Sequence, residues 1–441
     1  MKSLYRVAQV VELHQHELES IAKSTWHLRA LRAIIQCRTG ALGGHIAYCK
    51  ACKKIHHHKH SCRNRHCPTC QGHQQMQWQQ ARAKEVLNVP YFHLVFTLPS
   101  VLNSLVLEHP RVLYNTLFAA AWGTIQHFAQ RQLNAQMGMI AVLHTWGQNL
   151  SLHPHLHCII PKGGLSKAGY WKKGKGGSDF LFAVKAMSVV FRGKFIDQLS
   201  KELPVSWSLK RQCYKTKWVV HAQPSIGKPE QIIEYLSRYT YKTAISNHRI
   251  KAIDPQNNTV SFSYKDYRHG GVKKNLTLDT REFIRRFEQH ILPKGFRRIR
   301  HYGILSSAWK REKLPHLQLK LSDKDRETLP EITIVPATKL NTCVYCGSPD
   351  IVVLITYDNR GPPKDINDQV THKVHKIVAF PKNRTDINSK VLILNLNCHY
   401  EKKQIYRESN YQCFARTTAR EEGSRHRSRI IHRYQYFLLL A

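Results

Sequence analysis

Acidic residues are scarce in this chain, which has 29 Asp and Glu against 68 Lys and Arg in 441 residues. No cluster of three carboxylates is present, and this argues against a nuclease that holds two metal ions between carboxylates. The basic segment 172–177, KKGKGG, does not match a phosphate-binding P-loop, so we interpret it as a basic hairpin loop.

No apolar run reaches the length of about 18 residues needed to span a membrane, and no signal peptide is evident. We therefore expect a cytoplasmic protein.

The excess of basic residues gives a formal net charge of +39. A compact chain with this charge repels itself unless a polyanion neutralises it, and nucleic acid is the expected polyanion because its phosphates release counterions on binding. We therefore predict that the chain binds nucleic acid.

The hydrophobic pattern predicts a mixed structure. Helical periodicity covers residues 1–36, 228–245 and 279–292, whereas 91–99, 138–146 and 155–160 have the pattern of buried strands.

Twelve cysteines in a cytoplasmic chain indicate metal ligands or free thiols rather than disulfides. Cys49-x-x-Cys52 and Cys67-x-x-Cys70 form a double CxxC pattern, which predicts a structural Zn²⁺ held by four thiolates. The same block contains further candidate ligands, which either bind a second ion, replace one of the four, or simply pack: Cys37, His45, Cys62 and His66. The HHHKH run at 56–60 is interpreted as a solvated basic loop.

His155 and His157 are two residues apart in a predicted strand, so their imidazoles face the same side. Two imidazoles on one face can hold one divalent ion. His144 and Gln148, just before this strand, are alternative third ligands. Such a site leaves positions open for phosphate oxygens, which suits Mg²⁺ or Mn²⁺.

Tyr235 and Tyr239 are four residues apart in the predicted helix 228–245 and share one of its faces. A phenol becomes a useful nucleophile beside a metal-bound phosphate and a cation such as Arg238. Packing of an amphipathic helix explains the same pair without chemistry, so the tyrosines alone do not decide the function.

Together these segments resemble one family. LHTWGQNLSLHPHLHCII resembles the metal-binding hairpin of HUH endonucleases, and YLSRYTYKTAISNHRI resembles the tyrosine helix of two-tyrosine rolling-circle insertion-sequence transposases. The cysteine block resembles the N-terminal zinc-binding domain of that family, and YFHLVFTLP its first core strand. The resemblance extends from about residue 25 to about residue 350.

The resemblance implies an α+β fold with an antiparallel sheet, flanking helices and an N-terminal zinc-binding module. It implies that His155, His157 and Gln148 bind the catalytic metal, with His144 as the second choice for the third ligand. Tyr235 and Tyr239 become nucleophiles that nick and rejoin single-stranded transposon ends and target DNA through a 5′-phosphotyrosine. A replication initiator or relaxase with the same chemistry, or a non-catalytic zinc-containing DNA-binding protein, is the alternative.

Basic residues in these segments are the predicted DNA contacts: Arg63, Arg65, Arg238, Arg297, Arg298 and Arg300. We predict a helical and zinc-binding domain at 1–88, a catalytic domain at 89–310, a segment containing Cys343 and Cys346 at 311–355, and an unassigned basic tail at 356–441. The last CxxC needs two further ligands, from His372, His375, Cys398 or a second chain, unless its thiols bind no metal. We expect a protein of the bacterial cytoplasm, associated with the nucleoid, that is able to form a homo-oligomer.

Overall fold

A computed structural model describes residues 4–174, 176, 180–224, 239–322, 342–361 and 366–379. The described helices are α1 (Val7–Glu12), α2 (Leu18–Ile21), α3 (Thr25–Gln36), α4 (Gln71–Ala83), α5 (Asn103–Glu108), α6 (Pro110–Phe128), α7 (Val184–Glu202), α8 (Trp207–Lys215), α9 (Thr280–Glu288), α10 (Ser307–Leu321) and α11 (Ile366–Ala379). Among the described residues, no helix combines the length and apolar character that crossing a bilayer requires.

Antiparallel sheets connect these helices. The described strands are β1 (Gly44–Cys49), β2 (Ile55–Lys59), β3 (Tyr91–Thr97), β4 (Gly138–Trp146), β5 (Leu152–Pro161), β6 (Gly163–Leu165), β7 (Trp171–Lys173), β8 (Val219–Pro224), β9 (Ile250–Asp254), β10 (Thr259–Asp266), β11 (Val272–Asp279), β12 (Ile299–Gly303) and β13 (Ile351–Tyr357). The predicted fold class, α+β with antiparallel sheets and flanking helices, is confirmed.

A five-stranded antiparallel sheet with the order β12-β4-β5-β3-β8 forms the centre of the region predicted as the catalytic domain. Strands β3, β4 and β5 are the three that the sequence predicts, and β5 begins three residues earlier than expected, at Leu152. The strand carrying His155 and His157, β5, is the middle one of the five. A short turn joins β4 to β5, with Leu150 in the left-handed region at φ 62°.

The two faces of this sheet have different coverings because strand side chains alternate in direction. On one face, a continuous apolar core forms under α6 and α7, with Phe96, Leu143 and Leu156 all fully buried. Full burial of each such side chain contributes about 1.5–3 kcal/mol. On the other face, α10 packs toward one end, around Ile140 and Ile159. The remainder of that face carries imidazoles.

The N-terminal region does not form one long helix, as the periodicity over 1–36 predicts. It is divided into α1, α2 and α3. Ser24 caps the start of α3, and its hydroxyl accepts from the His27 N–H. These helices share an apolar core with α9 and with the end of the β4–β5 hairpin, where Trp146 and Leu150 are buried. The amino-terminal helices therefore support the hairpin that carries the histidines.

A small sheet with the order β13-β1-β2 joins distant parts of the chain. Strand β1 pairs on one side with its sequence neighbour β2 and on the other with β13. Helix α11, which lies within the tail left unassigned by the sequence, packs on β13 through Val370 against Leu354 and Ile46. The HHHKH run contributes β2 rather than a solvated loop, and the rings of His45 and His58 stack across the β1–β2 pair at 4.8 Å.

Candidate metal centres and nucleophile

Three histidines meet on the less covered face of the central sheet, and we call them the imidazole site: His144, His155 and His157. His144 lies directly opposite His155 in the β4–β5 pairing, and His157 follows two residues later on the same face. Their potential ligand atoms all lie within 4.8 Å of one another. His144 and His157 are buried, whereas His155 is half-buried.

The hydrogen bonds of these imidazoles assign their free nitrogens. His144 Nε2 lies 2.6 Å from the carbonyl oxygen of Tyr239, and His155 Nδ1 lies 2.6 Å from that of His153. A carbonyl oxygen only accepts, so both of these nitrogens carry protons and donate. The lone pairs therefore remain on Nδ1 of His144 and Nε2 of His155. Nitrogen lone pairs gathered on one face are the donor set that a divalent cation requires.

Burial keeps the three imidazoles neutral. It lowers the pKa of His155 to about 3, and the neighbouring His153 contributes in the same direction. The pKa values of His144 and His157 lie well below the usual range, first because of burial and second because of an adjacent imidazole. Metal binding requires the neutral form, so near neutral pH these side chains need lose no proton before they bind an ion.

The structure brings His144, the second choice for the third ligand, beside His155 and His157. Gln148 lies in the turn between the two strands, where its carbonyl accepts from the Arg249 guanidinium. A position directly opposite His155 in an antiparallel pair places side chains about 5 Å apart. The family resemblance favoured Gln148 by its spacing along the chain, but strand pairing favours His144.

The Tyr239 ring packs against the imidazole site. Its centroid lies 4.1 Å from that of His157 and 6.0 Å from that of His144. The Lys242 ammonium lies 6.0 Å from the same ring centroid. The second predicted nucleophile, Tyr235, lies outside the described residues, as does Arg238. The described half of the tyrosine pair is therefore adjacent to the predicted metal ligands.

Arg298 holds the backbone of the tyrosine segment. It is buried, and its guanidinium donates to the carbonyls of Tyr239, Thr240 and Lys242. A guanidinium at the carbonyl end of a helical segment satisfies acceptors that have no partner within the helix. The structure thus places Arg298, one of the predicted DNA contacts, in a buried position where its Nη2 donates to backbone carbonyls.

The other described arginines divide into two groups. Arg65 donates to the Phe296 carbonyl at 2.5 Å, and Arg300 donates to Asn115 at 2.5 Å while its guanidinium lies 4.2 Å from the Phe118 ring centroid. These contacts position both side chains within the protein. Arg63 and Arg297 are exposed, so they remain predicted DNA contacts.

His93 is a neighbour of the imidazole site that the sequence did not single out. It lies on β3, and its Nε2 is 2.9 Å from Nδ1 of His157. Its own Nδ1 lies 3.3 Å from the Gln223 side-chain amide on β8. The hydrogen bond to His93 fixes the orientation of the His157 ring beside the imidazole site. The only sequence signal was an inward-facing histidine in an otherwise apolar strand.

The structure separates the four cysteines that were predicted to share one zinc ion. Cys67 and Cys70 group with Cys37 and Cys62, and we call this set the first cysteine cluster. In it, the Sγ atoms of Cys62 and Cys70 lie 3.8 Å apart, and hydrogen bonds from the Cys62, Cys67 and Cys70 thiols lower the pKa of the Cys37 thiol.

Cys49 and Cys52 instead group with Cys343 and Cys346, which we call the second cysteine cluster. Strand β1 explains the separation, because Cys49 lies at the tip of the β1–β2 hairpin and Cys62 follows its open end. The strand from Gly44 to Cys49 spans about 16 Å. A single Zn²⁺ cannot bridge that distance, so the predicted quartet is corrected to two sets of four. Cys49 and Cys52 thus provide the two further ligands that the CxxC at 343–346 needs, whereas Cys398 and the side chain of His375 lie outside the described residues.

Comparisons with known proteins agree with this architecture. A family model described as a "Transposase zinc-binding domain", of the IS91 type, matches residues 10–98, and the Y2_Tnp model, described as "Putative transposase", matches residues 138–313. The chain is a transposase with an N-terminal zinc-binding domain.

Two curated relatives identify the type of transposase. The "Putative transposase y4qJ" of Sinorhizobium fredii is 38% identical over 374 residues, which cover 77% of this chain and 92% of the relative. The "Transposase for insertion sequence element IS801" of Pseudomonas savastanoi pv. phaseolicola is 28% identical over 352 residues, covering 76% and 85% of the two chains. This chain belongs to the IS91/IS801 family of HUH-type, two-tyrosine insertion-sequence transposases, and the resemblance found in its motifs is confirmed. No solved structure matches it significantly.

Proposed function

We propose that this transposase nicks and rejoins single-stranded DNA at transposon ends and at the target by metal-assisted tyrosine transesterification. The observation that carries the proposal is the contact of the Tyr239 ring with His157, one of three imidazoles that are gathered on one face of the sheet. A protein that only binds DNA needs neither feature. The transposase family also disfavours a replication initiator or relaxase.

The imidazole site fits a divalent cation. Its three ligands are neutral and leave coordination positions open, in contrast to a closed structural site. When bound, the ion polarises the scissile phosphate and neutralises the charge that develops on it. His144, His155 and His157 hold it there, and the Lys242 ammonium adds a nearby positive charge.

The reaction exchanges one phosphate ester for another. A tyrosine phenol, from Tyr239 or Tyr235, loses its proton and its oxygen attacks the scissile phosphorus. The bond from phosphorus to the 3′ oxygen breaks, and that oxygen gains a proton to become a free 3′-hydroxyl. The DNA 5′ end is then joined to tyrosine, and attack by a 3′-hydroxyl on this linkage restores the phenol and seals a strand. No nucleotide cofactor is required, because the number of phosphodiester bonds is conserved.

The ligand set favours Mn²⁺ over Mg²⁺. Mg²⁺ prefers oxygen ligands in octahedral geometry, whereas imidazole suits transition metals. The imidazole site contains no carboxylate among its three members. We therefore expect nicking to reach half its maximal rate at a lower concentration of Mn²⁺ than of Mg²⁺.

The decisive experiment incubates the purified full chain with labelled single-stranded DNA from the ends of its own element. Mn²⁺ or Mg²⁺ is added, and the products are separated on a denaturing protein gel. We expect label on the protein, and we expect the Tyr235→Phe/Tyr239→Phe double variant to lose it. Tyr241→Phe, which alters a neighbouring phenol, is the matched control and should retain the label.

Two results would contradict the proposal. One is a covalent adduct that persists in the double variant, which would assign the nucleophile to another residue. The other is tight binding of the end sequence without any adduct under either metal, which would favour a non-catalytic DNA-binding protein.

A further inference from the structure

The second cysteine cluster has the dimensions of a zinc site. The Sγ atoms of Cys49 and Cys346 lie 3.7 Å apart, and those of Cys52 and Cys343 lie 3.4 Å apart. Four sulfurs around Zn²⁺ at about 2.3 Å lie about 3.8 Å from one another in a tetrahedron. None of the four cysteines forms a disulfide. The spacing therefore suits a shared metal ion.

The two CxxC turns of this cluster have the same backbone conformation. The N–H of Cys49 donates to the carbonyl of Lys54 at 3.0 Å, and the N–H of Cys343 donates to that of Ser348 at 2.8 Å, each five residues further along the chain. The residue after the second cysteine is left-handed in both turns, with φ 57° at Lys53 and 74° at Gly347. A left-handed lysine is uncommon, so its presence indicates that the turn geometry is required.

Donors and cations surround the sulfurs. Nε2 of the buried His56 lies 3.1 Å from the sulfur of Cys343. The Lys54 ammonium lies 4.7 Å from the ring centroid of Tyr345, which lies between the two cysteines of its turn. Four thiolates around Zn²⁺ carry a net charge of about −2. With Nε2 protonated, His56 would donate to the Cys343 thiolate and offset part of that charge.

We infer that the second cysteine cluster binds a second structural zinc ion, which joins the N-terminal zinc-binding module to residues 343–346. This site lies partly outside residues 10–98, which the zinc-binding family model matches, so that module alone supplies only half of its ligands. The ion closes a loop of the chain that contains the whole catalytic sheet. Its role is structural, because four thiolates leave no position for water or phosphate.

Counting metal ions tests the inference directly. The full chain is prepared in a His155→Ala/His157→Ala background, so that the imidazole site contributes no zinc, and zinc per chain is measured by elemental analysis and native mass spectrometry. We expect two ions in this background, one after Cys343→Ser/Cys346→Ser, and one after Cys62→Ser/Cys70→Ser. Cys398→Ser/Cys413→Ser is the matched control and should retain two.

Thiol protection provides a test that needs no substitution and is therefore independent of whether a variant folds. The native full chain is alkylated with and without a strong zinc chelator, and modified cysteines are mapped by mass spectrometry. Cys346 is exposed, so a free thiol there would react at once. We expect it to be protected until chelation and then to react together with Cys49, Cys52 and Cys343.

Several outcomes would overturn the inference. A count of one zinc that survives Cys343→Ser/Cys346→Ser would place the ion in the first cluster alone. Loss of zinc in the Cys398→Ser/Cys413→Ser control would assign the ligands differently. Equal alkylation of Cys346 with and without chelator would show that the second cluster holds free thiols.

Discussion

The imidazole site and the two cysteine clusters differ in the number and type of metal ligands that they offer. The imidazole site offers three neutral nitrogens on one face of a sheet, with one histidine half-buried, whereas each cysteine cluster gathers four thiols around a point. An incomplete shell admits a phosphate, and a complete shell excludes it. The number of ligands and the openness of the site therefore separate the region suited to chemistry from the regions that hold the chain together.

The largest expected effect follows from breaking the first cysteine cluster. Structural zinc contributes on the order of 10 kcal/mol of folding free energy to small metal-dependent modules. This is comparable to the stability of a whole domain. In Cys62→Ser/Cys70→Ser we expect α3 and α4, which flank this cluster, to lose their protection against limited proteolysis, while the second cysteine cluster keeps its zinc. An unchanged cleavage pattern would show that this cluster does not require a metal.

Removing the imidazole site should reduce activity but leave stability nearly unchanged, in contrast to removing the first cysteine cluster. His155→Ala/His157→Ala removes a charge-neutralising ion worth several kcal/mol in the transition state, so we expect nicking to fall by at least about 10³-fold. The melting temperature and the zinc held by the cysteine clusters should stay nearly unchanged. A melting temperature that falls together with activity would mean that the histidines are structural.

The third ligand sharpens the comparison. We expect His144→Ala to weaken Mn²⁺ binding by about 10–100-fold. Removal of a residue that only supports a ligand already lowers metal affinity by about this factor. Gln148→Ala, in the turn, should change it by less than about twofold. Titration of Mn²⁺ by electron paramagnetic resonance measures both. If Gln148→Ala weakens Mn²⁺ binding more than His144→Ala does, Gln148 is the third ligand, as the family resemblance implied.

The smallest expected effect belongs to His93, a positioning residue that acts through His157. His93→Leu removes the partner of Nδ1 of His157, so we expect Mn²⁺ affinity to fall by no more than about tenfold, the lower end of the range for such supporting residues, with activity recovered at high Mn²⁺. His153→Ala is the matched control, because His155 is bonded to the backbone carbonyl of His153 and that carbonyl remains. Activity that does not recover with added Mn²⁺ would assign His93 a purely packing role.

The local pattern of the sequence predicted the centre of the molecule well. Strict alternation placed His155 and His157 on one strand face, and the apolar runs at 91–99 and 138–146 are the strands that flank β5. These predictions depended on periods of two residues, which are visible along the chain. The position of His144 opposite His155 depended on strand register, which no period reveals.

The cysteine sets were harder to predict because they depend on long-range pairing. Cys49-x-x-Cys52 and Cys67-x-x-Cys70 are close in sequence, but a hairpin strand holds them apart. Cys343-x-x-Cys346 is far away in sequence, but β13 brings it beside β1. Arg298 illustrates the same limit, because a basic segment predicted a DNA contact and tertiary folding buried one of its arginines.

The pairing of β1 with β13 also has a consequence for synthesis of the chain on the ribosome. Cys49 emerges early, but its strand partner Ile351 is made roughly 300 residues later. At 5–20 residues per second this interval lasts about 15–60 s. During this interval β1, the middle strand of the small sheet, has one edge without a partner strand. A chain whose synthesis stops before β13 leaves that edge unpaired. The small sheet is therefore complete only after the whole of the predicted catalytic domain, residues 89–310, has been translated.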